Sequence, residues 1–253
     1  MRSKPHYRAV FTSDWHLGFK HAHPKKILAF LKSFTCDFLY LDGDIFDFWA
    51  MAVRSYWDND CNEVVRYLFK MTHRGTKIFL SPGNHDENIR QFLPLNLGDI
   101  TVADRFIHTA ADGRKYLVLH GDIFDFIVRA YAKVAKLGSW AYDRLLDINP
   151  LVTRIRAFFG YRSHWSFSQY MKMKAKSAGG FITDFMLAAI SEAVKEEVDG
   201  IICGHIHRAD LTYKDGVMYG NCGDFVESFS ALAEKESGIM VRLSFAEDDI
   251  VEL

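Results

Sequence analysis

Five short stretches of the chain concentrate side chains able to bind a cation: Asp14-Trp15-His16, Gly43-Asp44, Gly83-Asn84-His85-Asp86, His120-Gly121-Asp122 and Gly204-His205-Ile206-His207. Each alone has an ordinary reading: Asp14 as a helix N-cap, Asp44 as a turn residue, Asn84 as a left-handed residue, His120 as a satisfied core histidine. Together they offer carboxylate, amide and imidazole donors at five separate points, a coincidence that convergence on metal explains. The spacing of two in Asp14/His16 and in His205/His207 sends both side chains to one side of an extended backbone, where they can meet one ion. Oxygen and nitrogen donors without thiolate favour Mn²⁺, Fe or Zn²⁺ over a closed structural zinc site. Seven candidate ligands, Asp14, His16, Asp44, Asn84, His120, His205 and His207, are too many for one such ion. Two ions ~3.5–4 Å apart, bridged by a carboxylate, would use them all, and such a pair activates water and clamps an in-line displacement at phosphorus.

These stretches sit where apolar runs end. Tyr7 to Ser13, Phe38 to Leu41, Lys77 to Leu80, Lys115 to Leu119 and Asp199 to Cys203 lack strict alternation, which predicts strands covered on both faces. Helical patterns lie between them, with Ile27, Leu28, Leu31 and Phe34 on one apolar face and Cys61, Val64, Val65, Leu68 and Phe69 on another. Strand alternates with helix, so the class is α/β, and in open α/β sheets sites are built at the carboxyl ends of strands. After Gly204, runs around Leu211 to Tyr213, Val217 to Tyr219 and Gly238 to Phe245, with the hairpin signal Lys214-Asp215-Gly216, predict added antiparallel strands.

Composition narrows the partners. The 253 residues, 49% hydrophobic and 25% charged, suit one globular domain over 1–253. A net charge of -1 leaves no global basic field to recruit nucleic acid. Cys36, Cys61, Cys203 and Cys222 show no CxxC spacing and read as reduced core thiols. The opening residues hold no signal-peptide apolar run, and no stretch reaches the ~20 apolar residues of a spanning helix, so a cytoplasmic protein is expected.

The blocks DxH, GDxxD (Gly43 to Asp47), GNHD, HGD and GHxH, in this order, resemble the calcineurin-like metallophosphoesterases. The resemblance spans Asp14 to His207. It implies a four-layer α/β/β/α sandwich, with Asp14, His16 and His207 on one metal, Asn84, His120 and His205 on the other, and Asp44 bridging. Mn²⁺ is the first expectation for both ions, with Fe or Zn²⁺ as alternatives. His85 would be the histidine that meets the substrate phosphate and leaving oxygen rather than a ligand. Asp86 beside it would hold the ring or cap the helix that follows. Asp47, Asp122 and Asp125 would orient metal-bound imidazoles or be solvated loop residues.

The segment 123–176 has helical periodicity broken at Gly138, Pro150 and Gly160, and carries ten Lys and Arg against three Asp, an excess of +7. It reads as an inserted helical cap. With Trp140, Tyr142, Phe158, Phe159, Trp165 and Tyr170 it suits acyl chains and an anionic head group or membrane surface, or a hairpin packed on its own aromatics. This insertion and the stretch Tyr219 to Ser228 (YGNCGDFVES) are similar to the UDP-2,3-diacylglucosamine hydrolase branch of bacterial lipid A synthesis. That implies a UDP-linked lipid substrate and peripheral contact with the inner membrane. Lys172 and Lys176, four apart on one helix face, are the candidates for contacting its phosphate or sugar. One residue departs from the branch: His85 stands where its enzymes commonly place Arg. The alternatives are therefore a paralogue acting on another phosphoester or nucleotide-linked lipid, and a non-catalytic binding protein on the same fold, against which the intact ligand blocks argue.

Overall fold

In β1 (His6–Thr12), Ala9 and Phe11 point to one side and Val10 to the other, and all three are fully buried. A strand covered on both faces needs no polar alternation, which is why the run is continuous. The computed structural model describes residues 4–125, 181–246 and 249–253. They fall into two compact units, 1–122 with 198–253 and 123–197.

In the first unit β1 pairs in parallel with β2 (Thr35–Asp42), and β2 with β3 (Lys77–Ser81). The eight-stranded sheet continues through β4 (Leu95–Leu97) and β5 (Ile100–Val102) on one side and β11 (Ser230–Glu234), β12 (Met240–Ala246) and β13 (Asp249–Glu252) on the other, in the order β13-β12-β11-β1-β2-β3-β5-β4. A five-stranded sheet has the order β6-β7-β8-β10-β9, built from β6 (Phe106–Thr109), β7 (Lys115–Val118), β8 (Gly200–Cys203), β9 (Asp210–Lys214) and β10 (Val217–Asn221).

Two helices cover the large sheet. α1 (Pro24–Ser33) starts with Pro at a position whose missing N–H is harmless. α3 (Asn59–Thr72), which follows the short α2 (Phe48–Val53), is capped by Asp58, whose carboxylate accepts from Cys61 N at 3.0 Å. Ile27, Phe30 and Leu31 of α1 and Val64, Leu68 and Met71 of α3 pack on Val10, Leu39, Leu41 and Ile78. Between the sheets lies a second core of Ala9, Phe11, Tyr40, Tyr116, Val118, Ile202, Met218 and Leu232. Helix, sheet and sheet of the expected sandwich are thus in place in this unit.

The five apolar runs are β1, β2, β3, β7 and β8. Asp215 and Gly216, both at positive φ, join β9 to β10 as the two-residue hairpin that their sequence signalled. The C-terminal strands are not all antiparallel, however, because β10 runs parallel to β8. The second unit contributes α4 (Phe181–Lys195), with Phe124 against Phe185 at 5.5 Å between ring centroids. Of the expected cap, only Ile123 to Asp125 are among the described residues, and Lys172 and Lys176 lie outside them.

A buried polar network pins the two sheets together at the end of β1. The Glu234 carboxylate accepts from Arg8 Nη1 at 3.1 Å and from Ala111 N at 2.7 Å, and lies 2.6 Å from His108 Nε2. Burial pushes the Glu234 pKa up, but the hydrogen bonds from His108 and Ala111 and the charges of His108 and Arg8 outweigh it, leaving it below the usual 4.5. A depressed carboxylate stabilises the fold above its unfolded pKa. The contribution is therefore complete above pH 4.5 and lost as pH falls through the lower folded value. Glu234→Ala should cost ~1–3 kcal/mol at neutral pH, because it takes the partner from the buried His108 ring. Urea denaturation at pH 7 and pH 4 checks this: the gap between variant and wild type should narrow at the lower pH.

Candidate metal centre

The candidate ligands all belong to the first unit and lie at strand ends. Asp14 and His16 follow β1, Asp44 follows β2, Asn84 and His85 follow β3, His120 follows β7, and His205 and His207 follow β8. Backbone bonds draw the ends together. Asp14 N donates to Gly43 O at 3.0 Å, His16 N to Asp44 O at 2.9 Å, and Gly204 N to His120 O at 3.0 Å. Gly43 has φ +83, and a Cβ there would run into the His120 ring, so only glycine lets these two blocks approach.

Donor atoms of Asp14, His16 and His207 lie within 4.8 Å of one another, as do those of Asp44, His120 and His205. Asp44 Oδ2 stands between the two sets, 3.9 Å from His16 Nε2 and 3.4 Å from His120 Nε2. Three buried atoms, His16 Nε2, Asn84 Oδ1 and His120 Nε2, make no hydrogen bond, and buried Asp14 Oδ1 faces His207 Nε2 at 3.1 Å. Leaving such atoms unpaired is costly, and three from three strand ends mark a place prepared for something that binds them. The set of hard oxygen and imidazole donors fits divalent metal ions.

Two of the imidazoles are oriented from behind. His120 Nδ1 lies 2.9 Å from Asp42 O, and His16 Nδ1 lies 3.1 Å from Asp47 Oδ2, which turns both Nε2 atoms inward. Burial opposes ionisation of Asp14, but the hydrogen bond from His207 and the charges of His120, His207 and His16 hold its carboxyl well below the usual range. Burial likewise opposes a charged His120, yet Asp44, Asp14 and Asp122 push its pKa well above normal. The field that favours imidazolium there also favours a metal cation competing with that proton. Asp42 is completely buried and pushed up to about 7, largely by burial, and accepts from Ser81 Oγ at 2.6 Å.

The backbone is unusual at the same places. Among the described residues eight other than glycine have positive φ, and five of them are Asp14, His16, Asp44, His205 and His207. Such residues cost of order 1–3 kcal/mol each where they are strained, and they gather at functional sites.

His85 is near the candidate ligands, with its ring centroid 4.6 Å from that of His16. Its carboxylate partner is Asp47, with Nδ1 3.0 Å from Asp47 Oδ1, and this raises its pKa against the opposing effect of burial. Asp86, expected to hold that ring or cap the next helix, does neither. It leads a 3-10 helix (Glu87–Phe92) without a side-chain cap bond, and its carboxylate accepts from Gly83 N at 2.6 Å, Ile45 N at 2.9 Å and Phe46 N at 3.2 Å. The physical reason is satisfaction of backbone donors: buried beneath two turns, Asp86 ties the Asp44 loop to the Asn84 loop. Asp122 pairs with Arg90 rather than with an imidazole, at 2.9 and 3.0 Å, while Arg90 also donates to Pro82 O at 2.9 Å.

Trp49 of α2 went unnoticed in the sequence. Its ring lies 4.4 Å from that of His85, and it is 47% exposed. Its signal was position alone, two residues beyond Asp47. A further group, His6, Asp37 and Glu236, is exposed and consists of ordinary surface ion pairs.

A model of the family described as calcineurin-like phosphoesterase matches residues 7–209. The chain belongs to this family. It is accordingly a metal-dependent phosphoester hydrolase, as its ligand blocks imply. Similar proteins include the UDP-2,3-diacylglucosamine hydrolase of Neisseria meningitidis serogroup A, 28% identical over 239 residues that cover 88% of this chain and 92% of the relative. The protein of the same name from Blochmanniella pennsylvanica is 27% identical over 207 residues, 79% of this chain and 78% of the relative. Among solved structures, vacuolar protein sorting 29 from Cryptosporidium parvum aligns with 97% of this chain and 94% of its own, at 12% identity and a TM-score of 0.48. Among the described residues, no helix is long and apolar enough to cross a membrane.

Proposed function

We propose that this phosphoesterase hydrolyses a UDP-linked diacyl sugar resembling UDP-2,3-diacylglucosamine at its pyrophosphate, using two divalent cations. The observation that carries the reading is the convergence of two buried imidazole nitrogens without a hydrogen bond, His16 Nε2 and His120 Nε2, on Asp44 Oδ2. The names of relatives that align with most of the chain support the substrate.

Asp14, His16 and His207 would hold one ion, Asn84, His120 and His205 the other, and Asp44 would bridge them. Mn²⁺ is the metal we assign, with Fe and Zn²⁺ as alternatives. When bound, the pair supplies Lewis-acid neutralisation of the phosphoryl oxygens and acidified water. His85 donates a proton to the leaving oxygen, and its ring is set by Asp47 on one atom and Trp49 across one face. Asp47 spans His16 and His85, so one carboxylate aligns a metal-holding ring and the proton donor. Asp86 contributes by holding the two loops in register and not by proton transfer.

Lys172 and Lys176 are the residues we assign to the substrate's phosphate or sugar, on a cap that would also meet the cytoplasmic face of the inner membrane. The test compares the Mn²⁺-loaded protein on a UDP-linked diacylglucosamine and on bis-p-nitrophenyl phosphate, with products identified by mass spectrometry. Release of UMP and the diacyl sugar phosphate is expected. Lys172→Ala with Lys176→Ala should raise KM for the lipid about tenfold or more and leave the small diester unchanged. Cleavage of the diester without the UDP-lipid would remove the substrate assignment and leave the paralogue reading.

A further inference from the structure

The stretch Tyr219 to Ser228 supplies none of the assigned ligands, yet it bonds to two of the blocks that carry them. Asn221, at the end of β10, is fully buried. Its Nδ2 donates to Gly204 O at 2.7 Å and its Oδ1 accepts from Gly223 N at 3.0 Å. Gly204 immediately precedes His205, and Cys222 N donates to Cys203 O at 2.8 Å, so Asn221 and Cys222 hold the two consecutive carbonyls that lead into His205. The next residues turn to the other block: Gly223 O accepts from Ser13 Oγ at 3.1 Å, and Phe225 N donates to Asp14 O at 3.1 Å. Asp224 holds the turn shut, accepting from Val226 N at 2.7 Å and from Ser228 Oγ at 2.6 Å. The two gripped blocks also meet directly, His205 N donating to Asp14 Oδ2 at 3.0 Å.

We propose that Asn221 is a positioning residue that sets Asp14 and His16 against His205 and His207 through the carbonyl of Gly204. This rests on the metal-centre reading above. The physical need is specific. Asp14, His16, His205 and His207 all have left-handed backbone, which persists only where the surroundings over-determine it. An amide that donates to one side of the gap and accepts from the other fixes the entry to His205, as no apolar residue of that size can. Partners behind ligands typically contribute 10–100-fold in metal affinity.

The test uses the full chain with Mn²⁺ as probe. Asn221→Ala and Asn221→Asp are compared with wild type and with His108→Ala, which perturbs the buried network around Glu234 and serves as a control for lost stability. Mn²⁺ affinity is measured by calorimetry on folded protein, each variant held equally far below its Tm. The expected result is at least ~10-fold weaker Mn²⁺ binding in both Asn221 variants and wild-type affinity in His108→Ala. Should Asn221→Ala not fold, Asn221→Asp decides: it keeps size and the acceptor for Gly223 N but places a carboxylate oxygen against Gly204 O. Unaltered affinity in Asn221→Asp, or equal weakening in His108→Ala, overturns the positioning role. A wild-type chain that binds no Mn²⁺ overturns it together with the metal-centre reading, whereas tight wild-type binding with unaffected variants removes this inference alone.

Discussion

Asp44→Ala should lower kcat/KM on any phosphodiester by at least ~10³-fold and reduce bound metal below two equivalents per chain, because two functions leave with one carboxylate. Oδ2 sits between the two donor clusters, and Oδ1 accepts from His85 N at 2.8 Å. The electrostatic stake is large. Two dications ~4 Å apart repel by about 17 kcal/mol at an effective dielectric of 20, and a bridging anion is the group placed to offset it. Losing even ~4 kcal/mol of that offset in the transition state corresponds to the rate effect stated. Asp44→Asn separates the contributions: it retains an oxygen for the His85 amide but carries no charge. Elemental analysis with steady-state kinetics on bis-p-nitrophenyl phosphate is the measurement, and full metal content with full activity in Asp44→Ala would falsify the bridge.

His85→Ala should keep both metal equivalents and lose ~10²–10⁴-fold in kcat, the usual worth of a positioned general acid. The loss should grow as the leaving group becomes more basic. A nitrophenolate departs without a proton, whereas a sugar phosphate or alkoxide needs help. The geometry motivates this split: His85 lies outside the two clusters that join six of the seven candidate ligands, and although its donor atom groups with those of His16 and Asp47, its Nδ1 is turned to Asp47. An equal loss on activated and unactivated esters would count against proton donation and in favour of plain phosphate binding.

Much of the centre was legible because its residue types are diagnostic and its spacings local. Asp14/His16 and His205/His207 can be read from a few residues of chain, and the runs before them are apolar enough to be strands and nothing else. What could not be read depends on contacts distant in sequence. Asp86 looks like a partner for its neighbour His85, but its orientation is decided by orphan amides of residues 45 and 46, about forty positions earlier. Asp122 was ambiguous until Arg90 was found beside it. β11 was missed because Ser230–Glu234 is rich in alanine, a poor strand former, and only its position next to β1 makes it a strand. β4 and β5, at three residues each, are too short to carry a period.

The left-handed backbone at five of the seven candidate ligands also limits what variation these positions can accept. A newcomer must bind the cation and tolerate positive φ, and few side chains do both: aspartate, asparagine and histidine are enriched there, while β-branched and bulky residues are penalised. Replacing Asp14 or Asp44 by glutamate therefore meets resistance from the main chain as well as from the longer reach. Glycine adopts this backbone at no steric cost. Substitution by glycine would erase the donor and relax the fold in one step, whereas rebuilding the centre requires the strain and the ligand to return together. Mutational drift at these five sites is consequently asymmetric, with loss of the chemistry downhill in folding free energy and its recovery uphill.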